Sequence, residues 1–166
     1  MKRKWVFLLI AVLVATSDQL TKSWIRTNLS PGEALPEIGP LTIIHIGNTG
    51  AAFGLFTDQA FILTVVAIVG LVVILFFFKY LPKTTVLSTI ALGLLLGGAS
   101  GNLIDRLTVG RVTDFIYFRL WDDVFWPAFN IADASITAGV IGLAIYLIMG
   151  LKDGEEQNSS AGKQNN

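Results

Sequence analysis

The sequence predicts an all-α integral membrane protein with four transmembrane helices. Hydrophobic residues make up 53% of the 166-residue chain, and only 14% of its residues are charged. A typical soluble domain carries about 25% charged residues. The mean hydropathy is +0.66. A soluble protein this small could not bury so much apolar surface, so a single membrane-embedded domain is indicated.

Four apolar runs account for the four helices, because a membrane span needs about 20 mostly apolar residues. The runs are Trp5–Ser17, Ala60–Phe78, Val86–Ile104 and Phe125–Leu151. The second and third runs contain no charged residue. The first becomes long enough only by continuing through Asp18 to Trp24, and the fourth only by including Asp133.

The two ends of the chain need separate interpretation. The basic residues 2–4 followed by an apolar run also fit a cleavable signal peptide. The run continues beyond Ala15 with Asp18 and Lys22, which favours a retained span. Residues 152–166 are polar and rich in Asn, Gln, Ser and Gly, so we predict a disordered cytoplasmic tail after a membrane domain at residues 1–151.

The basic residues also predict the orientation of the spans. Residues 2–4 are basic and precede the first span, and Lys79 and Lys83 flank the turn between the second and third spans, whereas the loop Thr27–Gln59 contains no Lys or Arg. The positive-inside rule therefore places both termini in the cytoplasm. The loop Thr27–Gln59 and the segment Leu107–Phe125 are then outside.

The two outer segments differ in composition. The first contains LTIIHI, whose β-branched residues favour a short strand pair, followed by glycines that interrupt any helix. The second contains VGRVTDFIYFRLWDDVFWP, which is crowded with aromatic residues. Such rings prefer the headgroup region, so we expect this segment to lie on the outer leaflet.

Composition excludes several kinds of chemistry. The chain has no cysteine, which excludes disulfides, thiol catalysis and thiolate metal sites. Its one histidine, His45, leaves no Cys/His metal cluster, and a loop or packing role is expected for it. A net charge of zero without a basic tract argues against nucleic acid as a partner.

Polar residues of three spans are predicted to gather at one depth, near the outer face. Such residues are costly within a membrane and indicate a functional site. They are Asp18 and Lys22 of the first span, Asn102, Asp105 and Arg106 of the third, and Asn130 and Asp133 of the fourth.

A structural role is an alternative for most of these residues. Asp18 and Lys22, four residues apart, could form a salt bridge that locks two helices. Asp105 could be neutralised by the adjacent Arg106, and the asparagines could be interhelical hydrogen bonds worth about 1 kcal/mol each. Asp133 has no cation within one turn of its own helix, so it is the hardest to explain as a structural residue.

Two neighbouring carboxylates offer a specific chemistry. They share one proton, so that one acts as a base on water while the other polarises a carbonyl group. That is the chemistry of aspartic peptidases, and it requires no metal. Two rival hypotheses are a proton-conducting subunit with Asp18, Asp105 and Asp133 as a relay, and a scaffold whose charges only hold helices together. A relay needs polar residues at all depths of the membrane, and the inner halves of the spans contain no comparable residues, which argues against this hypothesis.

Five stretches of the sequence resemble the bacterial lipoprotein signal peptidase (signal peptidase II) family over the chain up to Met149. They are SDQLTKSW at residues 17–24, NTGAAFG at 48–54, GGASGNLIDRL at 97–107, GRVTDFIYF at 110–118 and FNIADASI at 129–136. The resemblance implies four transmembrane helices, an outer β-cradle near Asn48, and an interfacial helix or lid near the aromatic segment.

The resemblance also implies an activity and a site. It implies an aspartic endopeptidase without cofactor or metal, with Asp114 and Asp133 as the catalytic pair. The supporting residues that it implies are Asp18, Lys22, Asn48, Asn102, Arg106 and Asn130. The implied substrate is a prolipoprotein with a diacylglyceryl-modified cysteine, cut just before that cysteine in the bacterial inner membrane. We expect the enzyme to be a monomer with its site at the periplasmic face.

Overall fold

A computed structural model describes the chain at residues 2–36, 39–50, 60–81, 85–121 and 124–164. Its four helices are α1 (Lys2–Asn28), α2 (Ala60–Tyr80), α3 (Val86–Thr108) and α4 (Ile131–Gln164). Its four strands are β1 (Ala34–Leu35), β2 (Leu41–Asn48), β3 (Val112–Trp121) and β4 (Val124–Phe129). Residues 51–54 of the second family motif and Lys83 lie outside the described residues.

All four helices are long and apolar enough to span a membrane, which confirms the four predicted spans. Helix α1 is continuous from Lys2 to Asn28, and Phe7 and Ala11 in its first half are buried against the rest of the fold. Helix α2 is the least covered by the rest of the protein, since none of its residues 61–80 is buried.

Helix α3 lies at the centre of the bundle and contacts the other three helices. Glycines permit close approach: a Cβ at Gly97 would lie 2.6 Å from the Ala11 carbonyl oxygen, and one at Gly98 would lie 2.5 Å from that of Ala132. These two glycines therefore serve helix packing, as small residues do in membranes. The apolar cluster around α3 consists of Phe7, Leu92 and Leu95, with Ile74, Phe78, Leu96, Ile136 and Leu143 packed against it.

The strands form one antiparallel sheet in the order β1-β2-β3-β4. The strand pair predicted from LTIIHI is present as β1 and β2. The aromatic segment forms β3 and β4 rather than an interfacial helix in these residues, and the alternative of a lid stays a prediction. Its alternating aromatic and β-branched residues suit a pleated surface, and pairing with β2 satisfies the backbone of β3.

A second apolar cluster joins the sheet to the helix ends. Its members come from α1, β2, β3 and α4, and they fix the sheet against the end of the bundle. They are Ile25, Leu29 and Phe115, with Ile43, Ile116 and Ile131 packed against them. Gly110 makes the turn from α3 into β3, with a φ of 76° that favours glycine.

The start of α4 differs from the prediction. Residues 124–129 are strand, and α4 begins at Ile131 rather than near Phe125. Asp133 therefore lies in the first turn of this helix. The helical backbone also continues past Leu151 to Gln164, since a formed helix extends at little cost. The domain boundary at residue 151 and the disorder of the tail stay predictions.

Candidate active site

Asn130 and Asp133 cap the N-terminus of α4 reciprocally. The Asn130 Oδ1 accepts a hydrogen bond from the Asp133 backbone N–H at 2.9 Å. The Asp133 Oδ2 accepts one from the Asn130 backbone N–H at 3.3 Å. This arrangement is a capping box with Asn and Asp in place of the more usual Ser or Thr and Glu. The positive end of the helix dipole also favours a negative charge on Asp133.

Asp114 is held by two amides at the centre of the sheet. It lies on β3 and is 2% exposed. The Asn130 Nδ2 donates to its Oδ1 at 2.6 Å, and the Asn48 Nδ2 at the end of β2 donates to its Oδ2 at 2.9 Å. Asn130 thus contacts both carboxylates, Asp114 through its side chain and Asp133 through its backbone N–H.

The environment of Asp114 favours its protonated form. Burial, and then the nearby negative charge of Asp133, raise the pKa of Asp114 from 3.8 to about 7. The hydrogen bonds from Asn48 and Asn130 and the charge of Lys22 act in the opposite direction. Asp114 therefore gains and loses its proton near neutral pH.

Asn102 links Asp133 to a buried cation. Its Nδ2 donates to the Asp133 Oδ1 at 2.7 Å, and its Oδ1 accepts from the Lys22 Nζ at 2.9 Å. Arg106, one turn further along α3, lies near the pair: its Nη1 is 3.5 Å from the Asn102 carbonyl oxygen, and it attracts both carboxylates electrostatically.

Two negative and two positive side chains of α1 and α3 compensate one another next to the carboxylate pair. The Lys22 Nζ lies 2.8 Å from Asp18 and 3.5 Å from Asp105, and all three side chains are fully buried. The Arg26 Nη1 lies 3.0 Å from Asp105, and its side chain is 25% exposed. We call Asp18, Lys22, Arg26 and Asp105 the charge cluster. Two carboxylates and two cations make it neutral, which a buried ionic group requires.

Asp18 also reaches the start of α4. Its Oδ1 accepts a hydrogen bond from the Ala132 backbone N–H at 2.9 Å. Gly101 of α3 makes room for this contact, because a Cβ there would lie 2.5 Å from the Asp18 Oδ2. The first N–H groups of α4, which have no partner within the helix, are thus satisfied from two directions.

The structure brings the eight residues predicted for the site into one hydrogen-bonded network. It runs from Asp18 through Lys22, Asn102, Asp133, Asn130 and Asp114 to Asn48, and Arg106 joins it at Asn102. The roles of these residues stay predictions. His45 is buried with its Nδ1 2.8 Å from the Leu29 carbonyl oxygen, which agrees with the packing role expected for it.

The ion pairs of Asp105 fit the structural role considered for it, but its partners differ from the expected one, and Arg26 was not predicted. Asp105 is paired with Lys22 and Arg26 of α1, whereas the Arg106 Nη1 donates to the Asn102 carbonyl oxygen. Arg26 lies four residues after Lys22 and therefore on the same face of α1. That spacing is the signal that could have identified it. Gln19 and Thr113 were also missed, and their hydrogen bonds to Asp105 leave no trace in sequence spacing.

Comparisons with known proteins agree on one family. The family model described as signal peptidase (SPase) II matches residues 10–149. A lipoprotein signal peptidase of Moorella thermoacetica is 46% identical, over 86% of this chain and 93% of the relative. One of Dehalococcoides mccartyi is 41% identical, over 90% and 92% respectively. The solved structure of a bacterial membrane enzyme matches with a TM-score of 0.81 at 35% identity, over 89% of this chain and 90% of the other.

Proposed function

The chain belongs to the signal peptidase II family, and we propose that it cleaves diacylglyceryl-modified prolipoproteins as an aspartic endopeptidase. The cut falls just before the modified cysteine and releases the signal peptide. One observation carries the proposal: Asn130 contacts both Asp114 and Asp133 at the point where a transmembrane helix meets the sheet. Two carboxylates bridged by one residue are suited to share a proton.

The pair holds one proton in the state that starts the reaction, and it titrates as a unit. Burial raises the pKa of Asp114 to about 7, so the shared proton is available near neutral pH. The ionised carboxylate of the pair is the base, and the protonated carboxylate donates a hydrogen bond to the substrate carbonyl oxygen.

Hydrolysis then follows with balanced proton transfers. Water attacks the carbonyl carbon of the scissile peptide as the ionised carboxylate of the pair takes one of its protons and the protonated carboxylate gives its proton to the carbonyl oxygen. As the tetrahedral intermediate collapses, the C–N bond breaks. The leaving nitrogen takes the proton from the carboxyl group that deprotonated the water, and the hydroxyl proton returns to the other carboxylate, so the pair again holds one proton. The scheme uses no metal or cofactor.

The position of the site suits a lipid-anchored substrate. The buried ionisable side chains of α1 and α3 lie at the ends of these helices that meet the sheet. The positive-inside rule puts this end at the outer, periplasmic face of the bacterial inner membrane, with both termini in the cytoplasm. A diacylglyceryl chain in the outer leaflet holds the scissile bond at this depth, so the lipid need not leave the bilayer. We propose that a monomer is sufficient.

A pair of substrates tests this function. The purified protein in detergent is given one prolipoprotein with its cysteine diacylglyceryl-modified and the same protein unmodified, and the products are identified by mass spectrometry. We expect cleavage of the modified substrate alone, with the modified cysteine as the new N-terminal residue. Cleavage at another peptide bond, or equal cleavage of both substrates, would contradict the proposal.

A further inference from the structure

The residue before Asp114 is held by two helices. The Asp105 Oδ2 accepts a hydrogen bond from the Thr113 backbone N–H at 2.8 Å. The Arg26 Nη1 donates to the Thr113 Oγ1 and to the Asp105 Oδ1, each at 3.0 Å. Arg26 belongs to α1 and Asp105 to α3, so both helices are tied to one residue of β3.

The Thr113 hydroxyl and its contact with Arg26 lie on the opposite face of β3 from the Asp114 side chain, because successive side chains of a strand point to opposite faces. Thr113 and Asp105 are almost completely buried, at 2% and 0% exposed. A displacement of Thr113 would therefore move the Asp114 carboxylate, while the amides of Asn48 and Asn130 would stay on their own elements.

Pairing within the sheet constrains this part of β3 less than a regular ladder would. The register between β2 and β3 shifts between Ile43 and Ile46, and Ile46 is the residue opposite Asp114. Such an irregularity locally disrupts the ladder of hydrogen bonds. Thr113 lies opposite Gly47, which has no side chain to support it. The contacts of Arg26 and Asp105 with Thr113 thus support β3 next to this irregularity.

We propose that Arg26, Asp105 and Thr113 form a positioning clamp that sets the Asp114 carboxylate relative to Asp133. These three residues touch neither the substrate nor the reacting atoms. The proposal rests on the proposed function, because the position of Asp114 relative to Asp133 affects cleavage only if these two carboxylates are the catalytic pair. A misplacement of about 1 Å can reduce a rate by about 100-fold.

The test uses changes of one hydroxyl group. Thr113→Val keeps the shape of the side chain and removes the acceptor of the Arg26 hydrogen bond, whereas Thr113→Ser keeps that acceptor. Thr108→Val is the matched control, because the Thr108 hydroxyl is exposed at the end of α3 and donates to its own helix, at the Ile104 carbonyl oxygen. Each full-length variant is purified in detergent, and kcat and KM are measured with the diacylglyceryl-modified prolipoprotein.

We expect Thr113→Val to lower kcat by about 10- to 100-fold with little change in KM. Thr113→Ser should restore most of the lost kcat, and Thr108→Val should match the wild-type chain. A positioning role predicts this separation of kcat from KM in protein whose melting temperature stays within a few degrees of wild type. A wild-type kcat in Thr113→Val would overturn the clamp and leave the proposed function intact.

A second variant covers the case in which Thr113→Val does not fold. Arg26 is partly exposed, so Arg26→Gln removes both of its hydrogen bonds where water reaches the side chain, while Asp105 keeps Lys22. We expect the same loss of kcat, partly restored in Arg26→Lys, which keeps a cation beside Asp105. Unchanged kcat in folded Arg26→Gln would overturn the clamp, and a wild-type chain that cleaves no prolipoprotein would overturn the proposed function itself.

Discussion

Removal of the Lys22 charge should destabilise the fold through the charge cluster. Lys22→Met keeps the length of the side chain and deletes the ammonium that contacts Asp18, Asp105 and Asn102. The two buried carboxylates would then share only the charge of Arg26. Breaking a buried ion pair by removing one partner costs about 3–5 kcal/mol. At about 2–4 °C per kcal/mol, the melting temperature should fall by roughly 10 °C.

A compensating change isolates the electrostatic part of this loss. Asp18→Asn in the Lys22→Met chain leaves one carboxylate and one cation, so the cluster is neutral again. The introduced amide oxygen can still accept a hydrogen bond from the Ala132 N–H, as the Asp18 carboxylate does. The double variant should therefore be less destabilised than the sum of the two single variants, by about 2 kcal/mol.

The measurement is a double-mutant cycle in detergent, with unfolding free energies from denaturant titration and melting temperatures from thermal scans. Lys79→Met is the matched control. Lys79 is exposed at the end of α2 with its Nζ 4.9 Å from the centre of the Tyr80 ring, so its removal should cost less than about 1 kcal/mol. Additive effects of Lys22→Met and Asp18→Asn, or a Lys22→Met chain as stable as Lys79→Met, would refute the neutral buried cluster.

Three further results are expected. Gly101→Ala should lower both stability and cleavage, because its Cβ meets Asp18, whereas Gly70→Ala on α2 meets nothing within 4 Å and should leave both unchanged; equal melting temperatures would contradict this. Asn48→Ala should shift the alkaline limb of the kcat–pH profile upward, because the hydrogen bond from Asn48 lowers the pKa of Asp114; a downward shift would contradict it. The raised pKa means that the folded chain binds the Asp114 proton more tightly than the unfolded chain. The free energy of unfolding should therefore decrease from pH 4 to about pH 7, by up to about 4 kcal/mol relative to the Asp114→Asn chain. A parallel pH dependence in the two chains would count against the raised pKa.

The features that were predicted correctly from the sequence each depend on a single helix or helix end. The apolar runs identified the four spans, and the spacing of Asp18 and Lys22 placed them on one face of α1. The motif at residues 129–136 placed Asn130 and Asp133 together, and their capping box explains why a carboxylate stands at the start of a span. These features are set by helical periodicity and by the backbone N–H groups at a helix N-terminus, which have no partner within the helix.

Contacts between elements that are distant in sequence could not be predicted in this way. Asp105 pairs with Arg26 because α1 and α3 face each other with a particular rotation, which hydrophobic periodicity does not fix in helices that are apolar on most sides. The aromatic segment became a strand pair rather than an interfacial helix because β2 offers it a partner. Aromatic enrichment indicates a membrane interface in either conformation and does not separate the two.

Cleavage by the two aspartate variants tests the central claim most directly. Wild type, Asp114→Asn and Asp133→Asn are compared on the diacylglyceryl-modified prolipoprotein, with chelator present and folding checked by thermal melting. Glu33→Gln is the control, since it makes the same change at an exposed carboxylate outside the site. The account predicts cleavage by wild type and Glu33→Gln, and none by the folded Asp114→Asn and Asp133→Asn chains. Cleavage by either folded aspartate variant at a rate near wild type would contradict the carboxylate pair as the catalyst.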